Sequence, residues 1–337
     1  MPQPLLEVKD LKVHFPTDDG LVKAVDGVTY SLAPGETLGI VGESGSGKSV
    51  SSLTVMGLIT PKQARISGEV IFRGQDLLKL PKDEMRTIRG EKISMIFQDP
   101  MTSLHPFYKV GYQISEAILE HQEISKQEAL DQAVEMLARV NIPHPKDRAD
   151  QYPHEFSGGM RQRAMIAMAL ALNPDVLIAD EPTTALDVTV QAQILDLIDR
   201  LKSEFNAAVI IITHDLGVVA EHCDNIMVMY AGKAAEFGNT EDIYYKPLHP
   251  YAWGLLSSIP RLDEDTHERL HPIRGLPPSL INVPPGCAFH PRCPYRFEPC
   301  DKEVPALLPV DGHHAAACHL SLADKERIRD EQVLARR

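Results

Sequence analysis

A glycine-rich stretch near the N-terminus, Gly42 to Ser49, constrains this chain more than any other feature. It fits the pattern G-x-x-x-x-G-K-[ST] of the phosphate-binding P-loop. The apolar run Thr37–Val41 before it predicts a buried strand, and Ser49–Leu58 begins a helical pattern. Glycines let backbone N–H groups converge on phosphate oxygens, and the helix N-terminus adds a partial positive charge. The loop therefore predicts a site for nucleotide phosphates, with Lys48 on the β- and γ-phosphates and Ser49 on Mg²⁺.

Size and charge narrow the class of protein to which this loop belongs. The 337 residues suffice for one large domain with an appendage or for two domains. A net charge of −13 disfavours binding of nucleic acid through the overall field. No apolar run approaches the roughly 20 residues that span a bilayer. The first four residues lack the basic and apolar segments of a secretory signal. We therefore expect a cytosolic protein that, if it acts at a membrane, docks to another subunit.

Further polar side chains share a position directly after an apolar run that predicts a strand: Gln98, Asp180, Glu181 and His214. Ligands of open parallel sheets bind beyond the carboxyl ends of the strands, so these side chains are expected to meet the phosphates or their metal. Asp180 can hold Mg²⁺, and the adjacent Glu181 can orient and polarise an attacking water. A surface glutamine and a structural histidine are the alternative interpretations of Gln98 and His214.

A second glycine turn, Ser157-Gly158-Gly159, opens a long helical pattern that runs through Leu172. Such a turn at a helix N-terminus is another backbone site for an anion, and an ordinary N-cap is the alternative. Residues 5 to 41 alternate in short segments typical of an antiparallel sheet. Residues 111 to 140 are helical in pattern, with a capping box at Ser125 and Glu128.

In this order and spacing the motifs resemble the ATPase domain of ABC transporters, over about residues 5 to 245. The resemblance implies an α/β P-loop NTPase fold with a RecA-like, mainly parallel sheet and an N-terminal antiparallel β subdomain. An inserted α-helical subdomain is expected at about residues 100 to 165, within an ATPase domain of residues 1 to 245. The signature departs from its commonest form, because Phe156 replaces Leu and Met160 replaces Gln.

The resemblance also implies a shared site, in which two such domains bind head to tail and sandwich ATP between them. Residues implied to bind ATP and Mg²⁺ within one chain are Phe15, Ser44, Gly45, Ser46, Gly47, Lys48, Ser49, Val50, Gln98, Asp180, Glu181 and His214. Those implied to reach the partner's ATP are Ser157, Gly158, Gly159 and, after Ala185-Leu186, Asp187. Catalytic roles fall to Glu181, His214, Gln98 and Lys48, and Mg²⁺ to Ser49, Gln98 and Asp180. Phe15 would stack on the base, although its pattern alone favours the core.

Four of the five cysteines crowd into the last 51 residues: Cys287, Cys293, Cys300 and Cys318. Disulfides are disfavoured in a cytosolic protein. The spacing of these cysteines leaves zinc and an iron–sulfur site both open. The segment Pro272 to Pro294 contains seven prolines, so regular helix or strand is not expected there.

His249-Pro250-Tyr251, the proline-rich segment and the cysteine region resemble the C-terminal region of ATP-binding subunits from bacterial dipeptide and oligopeptide importers. That resemblance implies a loop-rich accessory region at residues 246 to 337. It also implies a [4Fe–4S] cluster on Cys287, Cys293, Cys300 and Cys318, with Zn²⁺ as the alternative and a structural role favoured over redox sensing.

The same resemblance implies a peripheral protein on the cytoplasmic face of the cell membrane that hydrolyses ATP to drive peptide import. Its partners would be a second ATPase subunit, either similar or identical, and two transmembrane permease subunits. An extracytoplasmic peptide-binding protein would take part indirectly, and no nucleic acid is expected. The alternatives are another cargo, such as nickel or a glycopeptide, and a soluble ABC ATPase acting on ribosomes or DNA.

Overall fold

A computed structural model describes residues 4–184, 186–258 and 273–332 of the chain. Three parts of the sequence interpretation, Met1–Gln3, Ala185 and Pro272, lie outside these residues. The chain divides into two compact units. The first unit contains Ala33–Glu36 and Lys79–Ile212. The second unit contains Pro4–Leu32, Thr37–Leu78 and the described residues from Thr213 onward.

The strands are β1 (Leu6–Thr17), β2 (Gly20–Leu32), β3 (Thr37–Val41), β4 (Arg65–Phe72), β5 (Gln75–Asp76), β6 (Ile93–Ile96), β7 (Val176–Asp180), β8 (Ala208–Thr213), β9 (Asn225–Tyr230), β10 (Lys233–Asn239), β11 (Leu308–Asp311) and β12 (His314–Ala316). The helices are α1 (Lys48–Val55), α2 (Lys82–Ile88), α3 (Pro100–Ser103), α4 (Val110–Leu119), α5 (Lys126–Arg139), α6 (Pro145–Ala149), α7 (Gly158–Leu170), α8 (Val188–Phe205), α9 (Leu216–His222), α10 (Thr240–Tyr245), α11 (Pro250–Leu256) and α12 (Leu322–Gln332). In the described part of the chain, no helix combines the length and the apolar character needed to cross a membrane.

The first unit is built on the parallel strands β6, β7 and β8, with β7 in the middle. Every residue of β7 is buried, as expected for a parallel strand covered on both faces. Helices α4, α5 and α7 pack on one another in the same unit. The capping box of α5 is confirmed, because Ser125 and Glu128 exchange side chain to backbone hydrogen bonds of 3.2 and 2.8 Å. The carboxyl ends of β6 and β7 lie at the same edge, which brings Gln98 towards Asp180 and Glu181.

The second unit contains two sheets. In one, the order is β11-β12-β10-β9-β3, with β9 antiparallel to β10 and parallel to β3. The other is the predicted N-terminal antiparallel sheet, in the order β2-β1-β4-β5. The P-loop leaves the end of β3 and leads into α1, as the sequence predicts.

The C-terminal extension is more ordered than the sequence predicts. Residues 273–307 contain no helix or strand, which confirms the interpretation of the proline-rich segment over its described part. Beyond them, β11 and β12 form an antiparallel pair, and β12 continues the sheet by pairing with β10. Helix α12 follows, and its Ile328 packs on Trp253 of α11.

Candidate functional site

The P-loop lies in the second unit and depends on glycine at two tight positions. Gly42 has a φ of +155°, and a Cβ there would lie 2.3 Å from the carbonyl oxygen of Met229. Gly47 has a φ of +101°, and a Cβ there would lie 2.1 Å from the carbonyl oxygen of Ala24. Because real Cβ atoms are not found so close to backbone oxygens, only glycine fits these positions. Strands β9 and β2 thereby pack closely against the loop and fix its backbone conformation.

Lys48, the first residue of α1, is buried at the bottom of this loop. Its Nζ donates hydrogen bonds to the carbonyl oxygens of Gly42 (2.7 Å) and Glu43 (3.0 Å). The ammonium group is thus held inside the turn of the backbone, where a phosphate group would be bound. Ser46 Oγ is also buried and has no hydrogen-bond partner among the described residues, so it has hydrogen-bonding capacity for a ligand. Ser44 and Gly45 form the exposed tip of the loop.

Gln98 and Glu181 come together in the first unit. The amide Nε2 of Gln98 donates a 2.8 Å hydrogen bond to Oε2 of Glu181, and the hydroxyl of Thr184 donates another of 2.8 Å to the same oxygen. Two donors to the same oxygen fix the orientation of the carboxylate. A carboxylate held in this way can position a water molecule and accept its proton.

The backbone at Glu181 is strained, with a φ of +46° that a residue other than glycine rarely adopts. Its N–H donates a 2.8 Å hydrogen bond to the carbonyl oxygen of Ile212 and so continues the pairing of β7 with β8. The chain turns sharply at this point, and Asp180, the last residue of β7, remains buried while Glu181 is half-buried. The two carboxylates are thereby given different environments, one buried and one half-buried.

Other predicted residues occupy the ends of elements. His214 is exposed directly after β8, and Phe15 is half-buried near the end of β1 rather than in the core that its pattern favours. Asp187 caps α8 by accepting a 3.0 Å hydrogen bond from the N–H of Val190. The roles of His214, Phe15 and Asp187 in binding ATP stay predictions.

The Ser-Gly-Gly turn begins α7 as predicted. Ser157 is exposed and its Oγ caps the helix by accepting a hydrogen bond of 3.3 Å from the N–H of Met160. The preceding Phe156 is buried, so this departure from the common signature is a packing residue. At Gly159 a Cβ would lie 3.2 Å from a side-chain methyl carbon of Val190, which would have to shift slightly to make room. The N–H groups of Gly158 and Gly159 precede that of Met160 in this first turn, where the start of a helix can bind an anion.

The four C-terminal cysteines line one small pocket in the second unit: Cys287, Cys293, Cys300 and Cys318. Burial, with a contribution from the neighbouring thiols, raises the pKa of Cys287 to about 11 and that of Cys293 to about 12. Burial also raises the pKa of Cys318. Among the described residues, however, no three His, Cys, Asp or Glu side chains are close enough together to hold a metal ion. The pocket therefore has suitable ligand types without a formed coordination site.

Sequence reasoning missed three residues that act on these sites. Thr184 is the second donor to Glu181, and the hydroxyl oxygen of Tyr251 accepts a 2.8 Å hydrogen bond from the N–H of Glu43. Arg292 binds the Glu43 carboxylate through two nitrogens, at 2.5 and 3.0 Å. Although burial opposes it, hydrogen bonding to Glu43 and Tyr230 raises the pKa of Arg292. Only a three-dimensional structure could indicate the last two contacts, since their partners lie more than 200 residues apart in sequence.

A P-loop after a buried strand, paired acids at the end of a parallel strand and a Ser-Gly-Gly helix start define the ATPase class found in ABC transporters. The family described as "ABC transporter" matches residues 25–184. The family described as "Oligopeptide/dipeptide transporter, C-terminal region" matches residues 235–300.

The oligopeptide transport ATP-binding protein OppD of Salmonella typhimurium is 55% identical to the chain over 307 residues, which cover 90% of this chain and 91% of that protein. The dipeptide transport ATP-binding protein DppD of Bacillus subtilis is 53% identical over 317 residues, 94% of each. The dimeric structure of MJ0796, a bacterial ABC transporter cassette, is similar with a TM-score of 0.63 and 29% identity, over 70% of this chain and 98% of that one. The chain belongs to the family of ABC ATPases that are the ATP-binding proteins of oligopeptide and dipeptide transporters.

Proposed function

We propose that this chain is the ATP-hydrolysing motor subunit of an ABC importer for dipeptides or oligopeptides. The observation that carries the motor function is the Glu181 carboxylate, held by Gln98 and Thr184 at the end of a buried parallel strand. The peptide cargo is supported by relatives named for oligopeptide and dipeptide transport that align over about the whole chain. The match of residues 235–300 to the C-terminal region of such transporters supports the same cargo.

In the proposed reaction, each group of the chain has a separate task. Lys48 and the backbone N–H groups of the P-loop bind the phosphates of ATP. Glu181 orients a water molecule and accepts its proton as the water attacks the γ-phosphate. His214 contacts the γ-phosphate, and Phe15 stacks on the base. Ser49, Gln98 and Asp180 would hold Mg²⁺, which would supply positive charge beside the phosphates.

The second half of the site is proposed to come from a partner ATPase subunit. Ser157, Gly158, Gly159 and Asp187 of one subunit would face the ATP bound by the other. The exposed turn at the start of α7 supports this arrangement, because its N–H groups lack partners within the helix. Closure around ATP would supply donors and exclude water, and reopening after hydrolysis would move the attached permeases.

A mixing experiment tests the shared site. A Lys48→Ala chain lacks the phosphate contact, and a Ser157→Arg chain blocks the turn. Each is expected to be inactive alone, and for a homodimer their mixture regains activity because one composite site is intact. If the wild-type homodimer is active but the mixture of the two variants is not, the site is not shared in this way. Activity that requires a different ATPase subunit would identify the pair as a heterodimer.

The catalytic proposal is tested by Glu181→Gln. This variant keeps the size and hydrogen bonding of the side chain but cannot accept the proton, so we expect it to bind ATP and hydrolyse it at least 100-fold more slowly. Glu84→Gln, an exposed glutamate of α2, is the matched control and should have wild-type turnover. Unchanged hydrolysis in Glu181→Gln would refute the assignment.

Uptake of labelled dipeptides, oligopeptides, nickel and glycopeptide by membranes carrying the complex identifies the cargo.

The permease subunits are proposed to dock on an aromatic surface of the first unit. Four exposed side chains form this surface: Met101, Phe107, Tyr108 and Tyr112. The rings of Tyr108 and Tyr112 lie 5.4 Å apart, and His105 lies 4.7 Å from Tyr108. Contiguous exposed apolar patches are typical of interaction sites. The surface follows Gln98 by a few residues, so a docked permease could act on the Gln98–Glu181 pair. This docking would hold the chain on the cytoplasmic face of the membrane.

The four cysteines are proposed to hold a [4Fe–4S] cluster with a structural role, with Zn²⁺ as the alternative. Their convergence on one pocket supports this, and their protonated thiols would have to ionise and move closer to bind metal. Anaerobic purification followed by iron, acid-labile sulfide and zinc analysis tests the proposal. About four iron and four sulfide per chain are expected for a cluster, and stoichiometric zinc without iron would exclude it. The accessory region is proposed to span residues 246–337, and the ATPase domain residues 1–245 with its helical subdomain at about 100–165.

A further inference from the structure

A side chain of the C-terminal region binds the P-loop directly. Arg292 lies in the part of the chain matched by the oligopeptide/dipeptide transporter family, and Glu43 lies in the part matched by the ABC transporter family. Arg292 Nη1 donates to Glu43 Oε2 at 2.5 Å and Nη2 donates to Oε1 at 3.0 Å. Both residues belong to the second unit. Bidentate pairs of this kind combine strong, charge-assisted hydrogen bonds with a fixed geometry.

The arginine is itself held in place. Its side chain is 5% exposed, and Nε donates a 3.1 Å hydrogen bond to the carbonyl oxygen of Arg274. Its guanidinium carbon lies 5.9 Å from the ring centres of both Tyr230 and Phe289. These rings pack with Tyr251, so strand β9, helix α11 and the cysteine-bearing loop all support the guanidinium. Because the guanidinium of Arg292 is held by these neighbours, it can hold the Glu43 carboxylate in one position.

Glu43 is bound at each of its polar groups. Arg292 binds the carboxylate, the hydroxyl of Tyr251 accepts from the N–H at 2.8 Å, and Lys48 Nζ donates to the carbonyl oxygen at 3.0 Å. The P-loop therefore enters its turn with its second residue already ordered. Ordering a loop before its ligand arrives removes that cost from binding.

The charge of Glu43 gives the contact a second consequence. A carboxylate within the loop that binds a triphosphate repels the ligand, and at the surface this repulsion extends over about 10 Å at 0.1 M salt. Arg292 supplies the opposite charge at hydrogen-bond distance. It thereby neutralises the carboxylate and holds it to one side of the loop.

We propose that Arg292 is a positioning residue for ATP, which orders the P-loop and cancels the charge of Glu43. The inference rests on the proposed ATPase function and adds the C-terminal region to the parts that set ATP affinity. It assigns Arg292 no contact with the reacting atoms, so it concerns the KM for ATP and leaves kcat to Glu181 and its neighbours.

The test compares Arg292→Met, Glu43→Gln and the double variant in the full chain, with Arg296→Met as a control on an exposed arginine of the same segment. Arg292→Met leaves Glu43 charged and without its partner, so the KM for ATP should rise about tenfold while kcat stays within twofold. Adding Glu43→Gln removes the stranded charge and should recover most of that loss. Raising the salt concentration should reduce the effect of Arg292→Met, because salt screens the repulsion. Arg296→Met should match wild type.

Several outcomes would overturn the proposal. These are an unchanged KM in a folded Arg292→Met chain, no rescue by Glu43→Gln, and an equal effect of Arg296→Met. If Arg292→Met does not fold, Arg292→Lys keeps the charge without the bidentate fork and should give a smaller rise in KM. Equilibrium binding of a fluorescent ATP analogue measures the same differences without turnover. A wild-type chain that binds the analogue without hydrolysing ATP would therefore count against the proposed function and leave the test of Arg292 intact.

Discussion

Gln98 and Glu181 are joined by a 2.8 Å hydrogen bond from an amide nitrogen to a carboxylate oxygen, although 83 residues separate them in the chain. Strands β6 and β7 run in parallel and deliver the two residues to the same edge of the first unit. The bond makes the orientation of Glu181 depend on the segment that follows β6. Movement of that segment would therefore change the orientation of the Glu181 carboxylate, which is proposed to act on water.

Replacing Gln98 with alanine should lower kcat about tenfold, since a hydrogen bond to a charged group contributes roughly 1.5 to 3 kcal/mol and Thr184 still holds the same oxygen. Steady-state ATPase assays measure the effect. Gln127→Ala is the matched control, because this exposed glutamine also donates to a carboxylate, that of Asp131, away from the site. Equal kcat values for Gln98→Ala and wild type would show that the hydrogen bond has no part in turnover.

Two P-loop glycines should differ sharply in their tolerance of a methyl group. In Gly47→Ala the new Cβ would lie 2.1 Å from a backbone oxygen, so either the loop or β2 has to shift and both folding and ATP binding should suffer. At Gly45 no atom lies within 4 Å of the added Cβ, although its φ is also positive, at +77°. Gly45→Ala should therefore cost only about 1 to 2 kcal/mol of stability from the backbone conformation.

Thermal unfolding of the two alanine variants, with nucleotide binding measured on whatever remains folded, checks this difference. The contrast serves as its own control, since both substitutions add the same atom to the same loop. Similar melting temperatures for the two would contradict the tight contact at Gly47.

The elements that carry the motifs were predictable, because their buried residues form continuous apolar runs or recur at helical spacing. The N-terminal sheet was predictable in kind but not in its bounds. The sequence predicts short segments over residues 5 to 41, but residues Leu6–Thr17 form a single strand, β1, whose register shifts beside Asp10. Asp10 has a φ of +45°, which is the mark of a bulge within a strand rather than of a turn between two strands. A polar residue looks the same in sequence in either setting.

The candidate site was predictable as far as motifs extend. The P-loop and Glu181 carry local patterns, whereas the contact of Arg292 with Glu43 spans 249 residues and follows from the packing of the second unit. The pair β11 and β12 was missed for a similar reason. Its strands have only four and three residues, too few to show alternation, and pairing of β12 with β10 stabilises them.

Burial of His249 makes stability depend on pH. Burial, together with the charge of Lys325, lowers the pKa of His249 from 6.5 to about 3. The unfolded chain therefore takes up a proton below pH 6.5 while the folded chain does not. The free energy of unfolding therefore decreases as the pH is lowered through this range. From this group alone it is about 1.4 kcal/mol lower at pH 5.5 than at pH 7.5. Its Nδ1 caps α11 by accepting a 3.0 Å hydrogen bond from the N–H of Tyr251.

His249→Asn keeps a capping side chain but has no titration in this range. Between pH 7.5 and 5.5 this variant should lose about 1.4 kcal/mol less stability than wild type, as measured by urea unfolding at each pH. The exposed His313 supplies the control, because His313→Asn should follow the wild-type slope. Parallel slopes for wild type and His249→Asn would contradict a neutral buried imidazole.

The aromatic surface after Gln98 provides a test of docking that is independent of catalysis. Phe107 is 81% exposed, so packing of its ring contributes little to the stability of the isolated chain. Phe107→Ser should therefore leave the melting temperature within about 1 °C, since surface substitutions usually change stability by less than 0.5 kcal/mol. Removing a buried aromatic anchor from an interface often costs more than 2 kcal/mol of binding free energy. The affinity for the permease subunits should therefore fall at least about thirtyfold, which co-purification would detect.

Tyr245, a 61% exposed aromatic residue of the second unit, supplies the control for this surface. Tyr245→Ser should retain the permeases at wild-type yield, and ATP hydrolysis by each variant without permeases shows whether the catalytic residues are undisturbed. If Phe107→Ser and Tyr245→Ser retained the permeases equally, the membrane subunits would have to bind elsewhere. A loss confined to Phe107→Ser would instead link the docked permease to the segment that holds Gln98, and through it to the orientation of Glu181.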